Sequence, residues 1–206
     1  MPACRVMTIP IVLILSLFSN VYASGTENVP SSDQLVRKVM LDGVEFAIAK
    51  YGKEGGFYND PRVRLPMPEG FSTVEKMVRR FGGNKLADLF IYTLNKTAEK
   101  ALVSSGPVLK EYIRTMPIEN SQGLVSSGSN QAIGDYFAKQ SQSEIPGKIL
   151  PVIQQASETH GLLNSLRQLL EKVRLVRMIH KLRVKMDKAI FKAVFDVVVL
   201  NMKLKK

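Results

Sequence analysis

The residues best equipped for chemistry in this 206-residue chain fall in two places. The first is Asn59-Asp60-Pro61-Arg62-Val63-Arg64, followed by Glu69, where the two arginines alternate with an apolar residue. On extended backbone, side chains two apart share a face, so the two guanidinium groups would stand together and grip a carboxylate or phosphate bidentately. A plainer arrangement uses the same residues: Asp60 caps a turn, and the arginines pair with Glu45, Glu54 or Glu69. The second place is the C-terminal quarter. There Arg167, Arg174, Lys181 and Lys188 recur at intervals of seven, flanked by Lys185 and Lys192.

The charge distribution sets that quarter apart. Lys and Arg outnumber Asp and Glu by 29 to 18, and between Ser24 and Gly161 the two signs nearly balance, 16 against 15. From Leu162 to Lys206 the count is 12 against 3. The same segment carries Leu162, Leu166, Leu169, Val173, Val176, Ile179, Leu182, Met186, Ala189 and Ala193 at helical spacing. An apolar stripe beside a cationic one suits an anionic lipid or glycolipid surface of the envelope, or an acidic protein partner. It equally describes a core-packed helix whose solvated face is basic. Nucleic acid is not expected as a partner, because no aromatic stacking motif accompanies the charge.

Other chemistries find little material. His160 and His180 are the only histidines, Cys4 is the only cysteine, and no His-Glu-x-x-His spacing is present, so no metal is expected. His160 precedes Gly161 and reads as the end of a helix. No Gly-x-Ser-x-Gly elbow exists, and Gly52, Gly55 and Gly56 lack the Lys-Ser/Thr of a phosphate-cradling loop. No cofactor is called for. The reading is a non-catalytic binding or interaction protein. Its alternative is a small-ligand-binding or hydrolytic envelope enzyme that uses the Gly55–Glu69 loop.

The elements that must position these residues are helices. Residues 1–23 have the form of a secretory signal peptide: Arg5, an apolar run from Ile9 to Phe18, and Val21-Tyr22-Ala23 as a cleavage site. The run falls well short of the ~20 residues that span a bilayer, so the mature chain is expected to be periplasmic or secreted, with no transmembrane span. Residues 24–33 read as a flexible lead-in, 34–161 as a helical domain, and 162–206 as one basic amphipathic helix packed on that domain or extending it. Within the domain, periodicity predicts helices over 34–50, from the capping-box spacing Ser72-Thr73-Val74-Glu75 to Phe81, from Asn84 to about Leu102, and from Pro107 to Met116. Further helices are expected over 118–125, 130–140 and 144–159. Arg62 to Leu65 reads as a short strand inside the one long irregular loop. Leu-Val-Ser-Ser-Gly, at 102–106 and 124–128, reads as two helix ends closed by glycine. Val194 to Leu200 is either a last helical turn or a strand. The fold class is all-α, a single multi-helix domain.

Gly55-Gly56-Phe57-Tyr58-Asn59-Asp60-Pro61-Arg62-Val63-Arg64-Leu65-Pro66-Met67-Pro68-Glu69 resembles an uncharacterised bacterial envelope family, the domain of unknown function numbered 4197. Val74-Glu75-Lys76, Lys85-Leu86-Ala87-Asp88, the helix from Asn95 to Ala101, Met116-Pro117-Ile118-Glu119, Asp135-Tyr136-Phe137 and Leu150-Pro151-Val152-Ile153 extend the resemblance over about residues 40–163. It implies an exported, largely helical envelope protein and carries no activity with it. The basic tail departs from the family's more acidic ending, so the tail is expected to be divergent or altered by a change of reading frame.

Overall fold

Apolar residues spaced by three and four can be buried only if the segments carrying them coil as helices and pack face to face. The computed structural model, which describes residues 30–204, shows that outcome. The expected leader and most of the lead-in lie outside the described residues. Among the described residues there are eight α-helices, one 3-10 turn and no strand. They are α1 (Ser32–Tyr51), α2 (Ser72–Arg80), α3 (Asn84–Thr115), α4 (Ser121–Ser126), α5 (Asn130–Gln140), α6 (Ile145–Thr159), α7 (Leu162–Lys172), the turn Val176–Met178, and α8 (Ile179–Leu204). The fold is all-α.

The two longest helices, α3 and α8, organise the rest. Helix α3 packs against α1, α2, α6, α7 and α8, and α8 against α1, α3, α5, α6 and α7. Close approach is built in at glycine. A Cβ on Gly43 of α1 would fall 2.8 Å from the Cα of Met202 in α8, and one on Gly106 of α3 would fall 2.6 Å from Cδ1 of Ile48 in α1. An aromatic series ties three helices together. Tyr112 of α3 meets Phe137 of α5 edge-on at 6.3 Å between ring centroids, Phe137 stacks on Phe195 of α8 at 5.9 Å, and Phe195 stacks on Phe191 at 5.8 Å. Arg37 of α1 donates to the carbonyls of Ile113 and Met116, completing the C-terminus of α3 with the cation its dipole favours.

Several expectations are corrected. The helix expected to end at Gly106 and restart at Pro107 is one continuous α3. Pro107 and Val103, the residue whose carbonyl loses its helical donor at the proline, are both exposed, while Ser105 and Gly106 are buried. The first Leu-Val-Ser-Ser-Gly is therefore mid-helix, and only the second ends one, with Gly128 left-handed at φ 61°. No capping box forms at Ser72, because Phe71 occupies the N-cap position without a side-chain bond. The box forms instead at Ser31 and Gln34, which start α1 ahead of the expected position. Helix α3 starts at Asn84 as expected, with Gly83 at its N-cap. His160 is, as expected, the residue that closes α6.

The largest correction concerns residues 162–206. They do not form one helix, since α7 stops at Lys172 and α8 starts at Ile179. Arg174 takes a left-handed conformation at φ 55°. Its N–H bonds to the Glu171 carbonyl at 3.1 Å, and that of Leu175 to the Leu170 carbonyl at 2.8 Å. This is the bonding of a Schellman helix end, with arginine where glycine usually sits. Val194, Val197 and Val198 continue α8 and are buried, so the run from Val194 to Leu200 is helical and mostly covered.

Candidate anion-binding groove

The irregular segment between α1 and α2 is held from its inner side by α3. Asn95 and Glu99, four residues apart and so on one face of that helix, are both buried. Glu99 Oε1 accepts from the Phe57 N–H at 3.1 Å, and the Phe57 ring lies in the core edge-on to Tyr51. Asn95 Oδ1 accepts from the Leu65 N–H at 2.8 Å, and Asn95 Nδ2 donates to the Leu65 carbonyl at 2.8 Å. The expected strand at Arg62–Leu65 therefore has a side-chain amide, not a strand, as its partner. Phe71 closes the segment by stacking on Phe90 at 5.5 Å.

Asp60 organises the turn that precedes the arginines. Its carbonyl accepts from the N–H groups of Val63 (3.1 Å) and Arg64 (2.9 Å), and its Oδ1 accepts from the Arg62 N–H at 3.1 Å. Arg62 also returns its guanidinium to the same carboxylate, Nε to Oδ1 at 2.9 Å and Nη2 to Oδ2 at 2.6 Å. These bonds hold the Asp60 carboxyl down to about 2. The turn-capping role anticipated for Asp60 is thus present, but Arg62 pairs with Asp60 rather than with Glu45, Glu54 or Glu69. Glu45 bonds Lys110 instead. Asn59 folds over Gly55 and does not reach the arginine face. Arg64 pairs with no carboxylate among the described residues. Its guanidinium carbon lies 4.1 Å from the centre of the Tyr58 ring, a cation–π contact, and Tyr58 in turn meets Tyr92 edge-on.

Across from this loop runs α8, and between them lies a groove of about 670 Å³. Leu65 and Met67 line it from the loop, and Ala189, Ala193, Val197 and Leu200 from the helix. Five cations surround it: Arg62 and Arg64 on one side, Lys185, Lys188 and Lys192 on the other. The two acids of the lining are Glu69 and Asp196, and Asp196 is paired with Lys192. Lys185 lies across Gly70, whose φ of 85° and missing Cβ make room for it. No ion pair engages Lys185 or Lys188 among the described residues. The loop arginines and the tail lysines Lys185, Lys188 and Lys192, read from sequence as two separate places, line one groove.

The remaining candidates are not part of it. Arg167 is exposed on α7 and Arg174 sits in the turn after it. Lys181 is exposed on α8 outside the groove lining. The seven-residue cationic series is interrupted by the left-handed turn, and only Lys181, Lys185, Lys188 and Lys192 form a continuous exposed row on one helix. Two positions of the expected apolar stripe, Ala189 and Ala193, face the groove rather than the core. Asn95 and Glu99 were not anticipated. Their sequence signals are a pair of polar residues, four apart, beside the apolar face of α3, and their place in the Asn95–Ala101 stretch of the family resemblance.

Among the described residues no helix is long and apolar enough to cross a membrane. The chain belongs to the family described as protein of unknown function (DUF4197), which it matches over residues 29–203. The match runs on through α7 and α8, well beyond the residues 40–163 expected from sequence. Neither a curated protein nor a solved structure matches the chain.

Proposed function

We propose that this family member is an exported, non-catalytic binding protein of the cell envelope, periplasmic in location, that engages an anionic lipid surface through α8. The observation that carries the reading is the exposed row Lys181, Lys185, Lys188 and Lys192, with Arg62 and Arg64 brought up beside it. The opposite face of α8 supplies Leu182, Met186, Ile190 and Val194 to the core, so the row is held on a fixed support. Exposed cations in such a row attract an anionic surface within about 10 Å at 0.1 M salt. The leader-like residues 1–23 support the location. The alternative, an enzyme on the Gly55–Glu69 loop, would have to draw its nucleophile or proton carrier from Glu69, Asp196 or the lysines, since the groove lining holds no Ser, Thr, Cys or His.

The test is vesicle co-sedimentation of the chain from Ser24 onward. Because α8 contributes to the core, charge reversal is the appropriate perturbation rather than truncation. Binding to anionic but not neutral vesicles, weakened by salt and by at least about ten-fold in the Lys185→Glu/Lys188→Glu double variant, is the expected result. Equal behaviour of variant and wild type, or no binding to anionic vesicles, would overturn the reading and turn attention to an acidic protein partner. Recovery of the protein in the cytoplasmic fraction with residues 1–23 still attached would count against the location.

A further inference from the structure

We infer that the groove between the loop and α8 takes a single-chain anionic amphiphile, its hydrocarbon chain along the Ala189–Ala193 trough and its head on the rim cations. The inference rests on the lipid-surface reading above and deepens it from contact with a surface to insertion of one chain.

Three observations carry it. The floor is aliphatic, formed by Leu65, Met67, Ala189, Ala193, Val197 and Leu200, and the two alanines, one turn apart, form a trough. The volume of about 670 Å³ falls within the about 300–1,000 Å³ of small-molecule sites. The rim carries five cations and two acids, and with Lys192 paired to Asp196 and Arg62 to Asp60 it leaves Arg64, Lys185 and Lys188 against Glu69.

The groove's polar inventory selects against a peptide. A chain of amides laid in an apolar trough needs hydrogen-bond partners for its own N–H and C=O groups. The lining contains no Ser, Thr, Asn, Gln, Tyr or His to supply them. The loop's backbone donors are also largely spent: the N–H groups of Arg62, Val63 and Arg64 go to Asp60, and both polar groups of Leu65 go to Asn95. Pro66 and Pro68 have no N–H, which leaves only Met67 and Glu69 to offer one. No strand can be added to such an edge. An acyl chain asks for none of these bonds, and its carboxylate or phosphate head is what Arg64, Lys185 and Lys188 lack.

Equilibrium dialysis with labelled palmitate, kept below its micelle concentration, tests this on the chain from Ser24 onward. Wild type is expected to bind one palmitate per chain saturably, and inorganic phosphate at the same concentration should not compete. Ala193→Phe fills the trough, and Leu200→Glu sets a carboxylate at its exposed end. Each should weaken palmitate binding by at least about ten-fold. Circular dichroism checks that both variants are folded, and if Ala193→Phe is not, the exposed Leu200 position decides the matter. Absence of saturable binding, or wild-type affinity in the folded variants, overturns the inference. Vesicle sedimentation of wild type and Ala193→Phe separates the two readings. Vesicle binding without palmitate binding sinks the groove alone, while palmitate binding without vesicle binding sinks the surface reading and leaves the groove.

Discussion

The side-chain amide of Asn95 stands to the backbone of Leu65 as a neighbouring strand would, accepting from its N–H and donating to its carbonyl, both at 2.8 Å. Asn95 Nδ2 also donates to the Ile91 carbonyl at 2.8 Å, so little of the amide's bonding capacity is unused. One buried helix residue thereby holds the wall of the groove. Asn95→Leu leaves two partly buried backbone groups without partners, at a cost of about 3 kcal/mol. Urea unfolding measures that loss. Amide hydrogen exchange at Leu65 should accelerate well beyond the global change, and unchanged relative protection there would contradict the role given to Asn95.

Arg174 holds the end of α7 in a conformation that L-residues adopt at a cost of about 1–2 kcal/mol. Glycine has no Cβ to clash there, so Arg174→Gly should stabilise the protein by about 1 kcal/mol despite removing a side chain. A shift of the denaturation midpoint to higher urea, with unchanged slope, is the expected outcome. The same variant should bind anionic vesicles much as wild type does, because Arg174 lies off the exposed row of α8.

Asp187 faces inward from α8, almost fully covered, with Oδ1 accepting from the Ser157 hydroxyl at 3.2 Å and Oδ2 without a hydrogen-bond donor. Burial pushes its carboxyl above the ordinary aspartate range, with the Ser157 bond and the Arg183 charge opposing the shift. The folded state therefore holds this proton more tightly than the unfolded chain. Its contribution to stability falls as pH rises from the unfolded value through the folded one, and the ionised group is a burden at neutral pH. Asp187→Asn should raise the melting temperature at pH 7, with the gain shrinking as the pH approaches 4. Arg183 keeps its bond to Glu158 at 2.7 Å in that variant, so it is not stranded. A variant less stable than wild type at pH 7 would refute the assignment.

The Asp60–Arg62 pair shifts the other way. The Arg62 guanidinium, bonded to both carboxylate oxygens, holds Asp60 down to about 2. What this carboxylate contributes is present above the unfolded value and is lost as pH falls through about 2. A carboxyl-carbon NMR titration should place the Asp60 midpoint near there. In Arg62→Ala it should return toward the ordinary value of about 3.9. A normal midpoint in wild type would mean that Arg62 is not clamped and is free on the groove rim.

The all-α class and most helix positions were legible in the sequence because periodic burial is a local property: Leu35 to Ile48, or Leu86 to Leu102, can hide their apolar side chains only as helices. The irregular loop was legible for the same reason, since Gly55-Gly56 and Pro66-Met67-Pro68 cannot sustain a helix. Where local signals were ambiguous, packing decided. Leu-Val-Ser-Ser-Gly is mid-helix at 102–106, where Gly106 lets α3 approach Ile48, and terminal at 124–128, where nothing stands within 4 Å of a Cβ on Gly128. The break at Arg174 gave no warning, because a left-handed residue usually announces itself as glycine. The groove is the clearest case. Composition identified its arginines and lysines by their charge, but Arg64 and Lys188 are 124 positions apart, and no local rule relates residues at that distance. They meet because Asn95 and Glu99 hold the loop against α3 while the buried face of α8 packs on the same core. Charge and periodicity belong to the sequence; which charged faces share one groove is settled by how the helices close over their apolar surfaces.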